Sequence, residues 1–452
     1  MIVTVLQAVF FVVLLGNMIA FAGVDPVSRV ITAAAAVFFA VQFRRLPAIP
    51  RLLRWVVAGT AILITIQVLP LPEGIRAVIQ PGFRAFFPTG WASLSLAPWA
   101  TLQVAGALVV TGLIALQAAR MARTRSGLPL LLTAIAATGV VGAILGLVTE
   151  AGDSTKVLFV RDNVFGGSVF GPFVNRNHFA QAMELTIPAV IVIFALAARR
   201  LRSKGLDRQK AVVTTLAAGV ALIVCAAALI RSSSRGGVLF MAIAVAAALP
   251  WWRRFSSRRR RVWPVVAAGL VVAVIVGVLS WTELPLIRER FSELVAVEGL
   301  EGNTRIDLWR GTLASWRRSP VVGSGLGTYR YVIAIDKPAT GAAVLQQAHN
   351  DWLETLSTGG VVGFGLLGVG VFAVGRLLAP GRTRRLRAEF RYAMSAAVIA
   401  FSATMLHETI GFGLQTPVNR YLLAAWIGLV VGVAERTTRN GENPGRIHDE
   451  RA

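Results

Sequence analysis

Twelve apolar segments joined largely by short basic connectors constrain this chain more than any other feature. A hydrocarbon layer about 30 Å thick is crossed by a helix of roughly 20 mainly apolar residues. Segments of that character run near 2–22, 30–43, 55–69, 100–119, 128–148, 179–198, 211–230, 236–252, 263–281, 352–378, 392–407 and 421–434. Within lipid, each backbone N–H and C=O has to be satisfied inside the protein, which favours helices for segments of this length. Composition agrees, because 55% hydrophobic and 15% charged residues with a mean hydropathy of +0.66 exclude an ordinary soluble domain. The expected fold class is an all-α polytopic membrane protein with about twelve transmembrane helices.

A formal net charge of +24 would suggest a nucleic-acid partner in a soluble protein. Here the charge follows the connectors. With the N-terminus in the cytoplasm, Arg44, Arg45, Arg51, Arg54, Arg120, Arg123, Arg125, the 199–210, 253–261 and 376–391 clusters and the tail all fall on one side. The opposite side is close to charge balance, which is the positive-inside pattern. The basic runs are therefore read as topology signals lying against anionic membrane lipids, and nucleic acid is excluded as a partner. The N-terminal segment lacks a basic region before its apolar run, so it is read as a retained first helix rather than a cleaved leader. The single cysteine, Cys225, forms no intramolecular disulfide and is read as a small packing residue. The reading divides the chain into N-terminal helices (1–150), a core (151–380) that includes a long outer loop (282–350), C-terminal helices (381–435) and a polar, disordered tail (436–452).

This topology puts the uncommon polar groups on the outer face, in loops 70–99 and 149–178, turns 231–237 and 407–420, and the long loop. Arg231 and Arg235 bracket a three-serine turn between two apolar segments. An unpaired guanidinium there is costly, so either an anion compensates it or the side chain snorkels to the headgroups. Gly236 and Gly237 follow Arg235 and allow close approach of backbone or ligand. Arg305 and Arg310 belong to Asn303-Thr304-Arg305-Ile306-Asp307-Leu308-Trp309-Arg310, which reads as a short amphipathic helix started by Asn303-Thr304. Arginine's planar fork matches phosphate oxygens, so these side chains suit a lipid phosphate; pairing with Asp307 or Glu301 is the alternative. His349 stands where the long loop re-enters the membrane, where an imidazole can act as a base near neutral pH. Small residues at Gly360 and Gly363 in the following helix permit close packing beneath it.

Two motifs are set aside. His407-Glu408 lacks the second histidine of a zinc signature, since position 411 is Gly. Gly323-x-Gly325-x-Gly327 follows no expected strand and reads as turns rather than a nucleotide loop.

Taken together, these residues resemble the O-antigen ligase and O-antigen polymerase superfamily, membrane enzymes that move glycans off polyprenyl diphosphate. The ligase pattern of His, then Asn, Ser or Gln, nine residues, Gly, two residues and Gly is met by His349, Asn350, Gly360 and Gly363. Ser234-Arg235-Gly236, the 303–310 and 319–327 runs, and Gly171-Pro172-Phe173-Val174-Asn175-Arg176-Asn177-His178-Phe179-Ala180 resemble further family blocks, in the family's order. The likeness covers roughly 165–370 and leaves the first 150 residues matched in hydropathy alone.

The resemblance implies a C-type glycosyltransferase-like fold in the bacterial inner membrane with a periplasm-facing site. The donor it implies is an undecaprenyl-diphosphate-linked glycan. The acceptor would be the lipid A core for a ligase, or a lipid-linked oligosaccharide for a polymerase. It also implies that Arg235 and Arg305, supported by Arg231 and Arg310, bind the diphosphate, and that His349 activates the acceptor hydroxyl. Arg176, His178 and Asn350 are secondary candidates, with loop capping as the alternative. Inverting transfer from so good a leaving group needs neither metal nor cofactor when arginine carries the charge. A transporter or flippase would share the helix count and the basic face. It would also be expected to show internal repeats and midplane polar groups, which the sequence does not display.

Overall fold

A computed structural model describes residues 2–42, 47–86, 89–152, 156–163, 169–201, 204–255, 305–336, 345–379 and 386–442. The segment expected at 263–281, the first part of the long loop with Asn303 and Thr304, and residues 443–452 of the tail lie outside the described residues. The described chain forms α1 (Ile2–Ile19), α2 (Pro26–Val41), α3 (Arg51–Val68), α4 (Glu73–Ile79), α5 (Pro98–Ala122), α6 (Gly127–Ala151), α7 (Arg176–Arg200), α8 (Leu206–Arg231) and α9 (Arg235–Phe255). After the gap come α10 (Arg305–Arg318), α11 (Tyr329–Val332), α12 (Asp351–Leu378), α13 (Ala388–His407) and α14 (Pro417–Glu442). Among the described residues there is no β-strand, only isolated bridges such as Leu71 with Ala92.

Eleven of the twelve expected apolar segments coincide with helices. By length and composition, 7 of the helices can cross a membrane: α3, α5, α6, α7, α8, α12 and residues Pro417–Thr437 of α14. The apolar parts of α1, α2 and α9 are shorter. Side-chain exposure separates the inner helices from the outer ones. Trp426 of α14 is 1% exposed, while Val213, Leu216 and Ile223 of α8 are 67%, 65% and 70% exposed. So continuous an apolar face would not tolerate water but is at ease in lipid. α1 is a packed helix, with Leu6, Phe10, Leu14 and Met18 all in the core.

Lipid supplies little hydrophobic drive between helices, so close contact depends on small residues. A Cβ on Gly428 or Gly432 of α14 would come within 2.2 Å of the Ala115 carbonyl oxygen or 2.3 Å of the Ala119 carbonyl oxygen of α5. The backbones of these two helices therefore touch. At the basic end, Arg123 pairs with Glu435 at 3.2 Å and Arg436 donates to the Arg123 carbonyl at 2.7 Å, joining the ends of α5 and α14.

Above the opposite end, loop 70–99 and the second half of the long loop fold together. Loop 70–99 is a scaffold for the 319–327 run. Gln80 Nε2 donates to the Leu94 and Gly323 carbonyls at 3.0 and 2.7 Å, and Leu96 N donates to Ser324 O at 2.9 Å. Arg318 binds Asp336 through both Nε (2.8 Å) and Nη2 (2.7 Å), and its Nη1 reaches Gly82 O at 3.2 Å. Beneath them Phe83, Leu308, Tyr329 and Ile333 form a small apolar core.

The 319–327 run is a set of turns, as expected, with positive φ at Gly323, Gly325 and Gly327. It docks into a break in α12. Gly360 has φ 64° and ψ −169°, so the helix is interrupted there. The amides of Val361 and Val362 donate to Pro320 O (2.9 Å) and Val321 O (3.1 Å). On the other side of the break, Ser357 and Thr358 carbonyls accept from Ser324 N (3.2 Å) and Gly325 N (3.0 Å). The sequence reads Gly360 as a helix-packing residue; its role here is to open the backbone, while Gly363 does pack closely, against Leu63 of α3. A Cβ on Gly360 would meet Val321 O at 2.2 Å and one on Gly323 would meet Thr358 C at 2.2 Å. Gly360→Ala and Gly323→Ala should therefore each cost more than the roughly 1–3 kcal/mol of left-handed strain alone. Thermal unfolding in detergent checks this; Gly365→Ala, where a Cβ meets nothing within 4 Å, is the control expected to stay near the parent.

Candidate functional site

Four stretches far apart in sequence meet at one end of the bundle. The first is the start of α7. Gly171, at φ 59°, lies against the Gly146 backbone and donates its N–H to Thr149 Oγ1 at 2.9 Å. Phe170 and Phe173 pack on Phe179, with ring centroids 4.5 and 5.8 Å apart. Asn175 then caps the helix by accepting from Asn177 N at 2.8 Å, a usual use of asparagine at a helix start.

The second is the serine turn before α9. Ser234 Oγ donates to Asn177 Oδ1 at 2.7 Å and accepts from Gly237 N at 3.3 Å. A Cβ on Gly237 would sit 2.5 Å from Ala180 Cβ, so the glycine lets α9 lie on α7. The third stretch is the long loop's return: Trp309 of α10 donates to Ala348 O at 3.1 Å, and Asn350 caps α12 by accepting from Leu353 N at 3.0 Å. The fourth is the turn after α13, held by Asp351 N donating to Glu408 O (3.1 Å) and Gly411 O (3.2 Å).

Between them is a cavity of about 10 Å³ lined by Asn175, Asn177, His178, Gln181, Arg305, His349, His407, Ile410, Gly411, Phe412 and Gly413. Three of the chain's 4 histidines thus converge on one space. Phe412 is wedged between the rings of His178 and His349, edge to face, at 4.4 and 4.6 Å. Among the described residues, no group of three or more His, Cys, Asp or Glu side chains is arranged to hold a metal ion.

His349 has φ 50°, a conformation that costs a non-glycine residue about 1–3 kcal/mol and is tolerated where the surroundings enforce it. Burial, followed by the charge of Arg305, pushes its imidazole down to about 4, so it is neutral at physiological pH and keeps a ring lone pair. Arg305 lines the same wall and donates Nη1 to Ile410 O at 2.8 Å. His178, 8% exposed, shares a hydrogen bond between Nδ1 and Thr416 Oγ1 at 3.0 Å. Arg235 is the first residue of α9, beside the cavity wall rather than in it. Arg176 begins α7 between two lining asparagines.

Two expected arginines are drawn elsewhere. Arg231 forms an ion pair with Glu150 at 2.5 Å and Arg310 one with Asp307 at 3.2 Å, with side chains 64% and 76% exposed. These are rim arginines.

Sequence reasoning misses the polar group beneath the cavity. Gln181 donates to Glu408, and Asn419 Nδ2 donates to His178 O at 2.9 Å and Gln181 Oε1 at 3.2 Å. Gln415 bridges Asp351 and Glu354 at 3.0 and 2.9 Å. Burial, then the nearby charge of Asp351, raises Glu408 well above the usual carboxylate range. His407 Nδ1 lies 2.9 Å from Glu184 Oε1. The available signal was Gln181 and Glu184 inside an apolar segment, because an intramembrane polar group usually has a partner and a purpose.

Such a molecule is an all-helical, multi-pass membrane protein with a polar site at one end of its bundle, where arginine and histidine meet. Residues 220–368, about a third of the chain, match the sequence model of the family described as O-antigen ligase. The matched stretch contains Arg231, Arg235, Arg305, Arg310, His349, Asn350, Gly360 and Gly363. It leaves out the 171–180 block and the turn after α13, both of which line the cavity. No curated protein matches the chain.

Proposed function

We propose that the protein transfers a glycan from undecaprenyl diphosphate to an acceptor hydroxyl at the periplasmic face of the inner membrane, with inversion and without a metal. The observation that carries this reading is that Arg305 and the neutral His349 line one cavity. A phosphate-binding cation and a proton acceptor are what this chemistry needs side by side. The acceptor O–H gives its proton to the free ring nitrogen of His349 as the oxygen attacks the anomeric carbon. The bond from that carbon to the diphosphate oxygen breaks, and the electron pair leaves with undecaprenyl diphosphate. Arg305 in the wall, with Arg235 at the adjoining helix start, stabilises the charge that collects there. Asn350, as a helix cap, fixes where the backbone of His349 begins its turn. Arg231 and Arg310 supply positive potential at the rim, and His178 flanks the acceptor side. A space of about 10 Å³ holds roughly one water, so the reading requires Phe412 to swing aside on its flanking Gly411 and Gly413 when substrates enter.

The acceptor is tested directly by purified protein with lipid-linked glycan donor, offered lipid A core or further donor alone. Product on core is the outcome expected of a ligase, and lengthening of the lipid-linked chain without core that of a polymerase. In either case the new bond should carry the opposite anomeric configuration to the donor; retained configuration would refute the one-step displacement.

A further inference from the structure

Resting on that reading, we infer that His407, held by the buried Glu184, is a further donor-binding residue whose Nε2–H bonds the leaving diphosphate. Glu184 is 0% exposed, and the hydrogen bond described for its side chain goes to His407 Nδ1 at 2.9 Å. Its second oxygen is buried with no hydrogen-bond partner. A carboxylate placed in a bundle interior with one imidazole for company serves to hold and orient that ring, and His407 is a cavity-lining residue. The far ring nitrogen faces the start of α9: a Cβ on Gly236 would lie 3.7 Å from Nε2. Arg235 precedes that glycine, so the nitrogen, the arginine and the helix N-terminus share one side of the site.

Charge balance then decides what Nε2 offers. A net charge buried in this interior is costly, and the dyad is neutral in two forms. One is the imidazolium beside the carboxylate; the other is a protonated Glu184 donating to Nδ1 of a neutral ring. Both place a proton on Nε2, making it a donor suited to an anionic oxygen and unsuited to deprotonating an acceptor. His349 has Arg305 beside it instead of a carboxylate and keeps its lone pair. Two histidines in one cavity are thereby set apart as phosphate donor and acceptor base, by the sign of the charge next to each.

The probe is undecaprenyl diphosphate without glycan, its binding to purified protein measured in nanodiscs for the parent, His407→Ala, His407→Gln, Glu184→Ala and the Glu184→Ala/His407→Ala double variant. A charge-assisted hydrogen bond predicts about tenfold or greater weakening for His407→Ala. It also predicts recovery to within about threefold for His407→Gln, whose amide keeps an N–H near the same point. Glu184→Ala should weaken binding similarly, with no further loss in the double variant, because the two residues act as one unit. If His407→Ala binds like the parent, or a folded His407→Gln binds as weakly as a folded His407→Ala, the inference is wrong. Should His407→Ala fail to fold, a tenfold loss in His407→Gln overturns the proposal and near-parent binding supports it. A parent protein that does not bind undecaprenyl diphosphate would instead contradict the glycan-transfer reading itself.

Discussion

Arg305→Ala is expected to weaken donor binding and turnover together, each by roughly 30- to 150-fold, the 2–3 kcal/mol of a hydrogen-bonded charge lost from a desolvated site. Three observations set that size. Arg305 lines the cavity, its Nη1 is anchored 2.8 Å from Ile410 O, and α10 is fixed on the same side by Trp309 donating to Ala348 O. The guanidinium is thus preorganised, and little ordering cost is left for the substrate to meet. Arg305→Lys should recover only part of the loss, since an ammonium cannot bond Ile410 O and a phosphate oxygen with the same fork. Arg310→Ala is the contrasting case: exposed and paired with Asp307, it should change donor affinity by less than about threefold at physiological salt.

His349→Ala should separate the two quantities that Arg305→Ala moves together. Turnover is expected to fall about 10²- to 10⁴-fold, the range for loss of a general base, while donor binding stays within about threefold of the parent. The pH profile carries a second signature. Because burial and Arg305 hold the free-enzyme imidazole at about 4, the acid limb of kcat/KM should lie well below the ordinary histidine value near 6.5. Bound diphosphate offsets the Arg305 charge, so the limb in kcat should lie at higher pH than the limb in kcat/KM. A shared limb near 6.5 would mean that a different group is the base. The same shift acts on stability. The unfolded chain binds the His349 proton before the folded one does, so this contribution is complete above about 6.5 and lost as pH falls toward 4.

The architecture was legible because lipid asks one simple thing of a sequence: long apolar runs separated by basic connectors. Segments such as 179–198 and 352–378 fall on α7 and α12 for that reason. Residues whose chemistry is uncommon near a membrane, Arg305, His349 and His178, were legible as site candidates and do meet at one cavity. Other features depended on what lies across the fold. Gly360 reads as a packing residue until the 319–327 run is seen bonding to both edges of its break. Arg231 reads as a phosphate ligand until Glu150, 81 residues away, is found beside it. His407 was judged against a zinc spacing within its own segment, whereas its partner Glu184 is 223 residues distant. Spacing along one helix does not reveal a dyad built across two.

The most direct measurement of the central claim is glycan transfer by the purified, reconstituted parent, with Arg305→Ala and His349→Ala alongside and donor binding measured in the same vesicles. Transfer by the parent, donor binding without turnover in His349→Ala, and loss of both in Arg305→Ala are the expected results. Variants that bind and turn over like the parent would contradict the claim. So would a parent that transfers nothing while a known enzyme in the same vesicles is active.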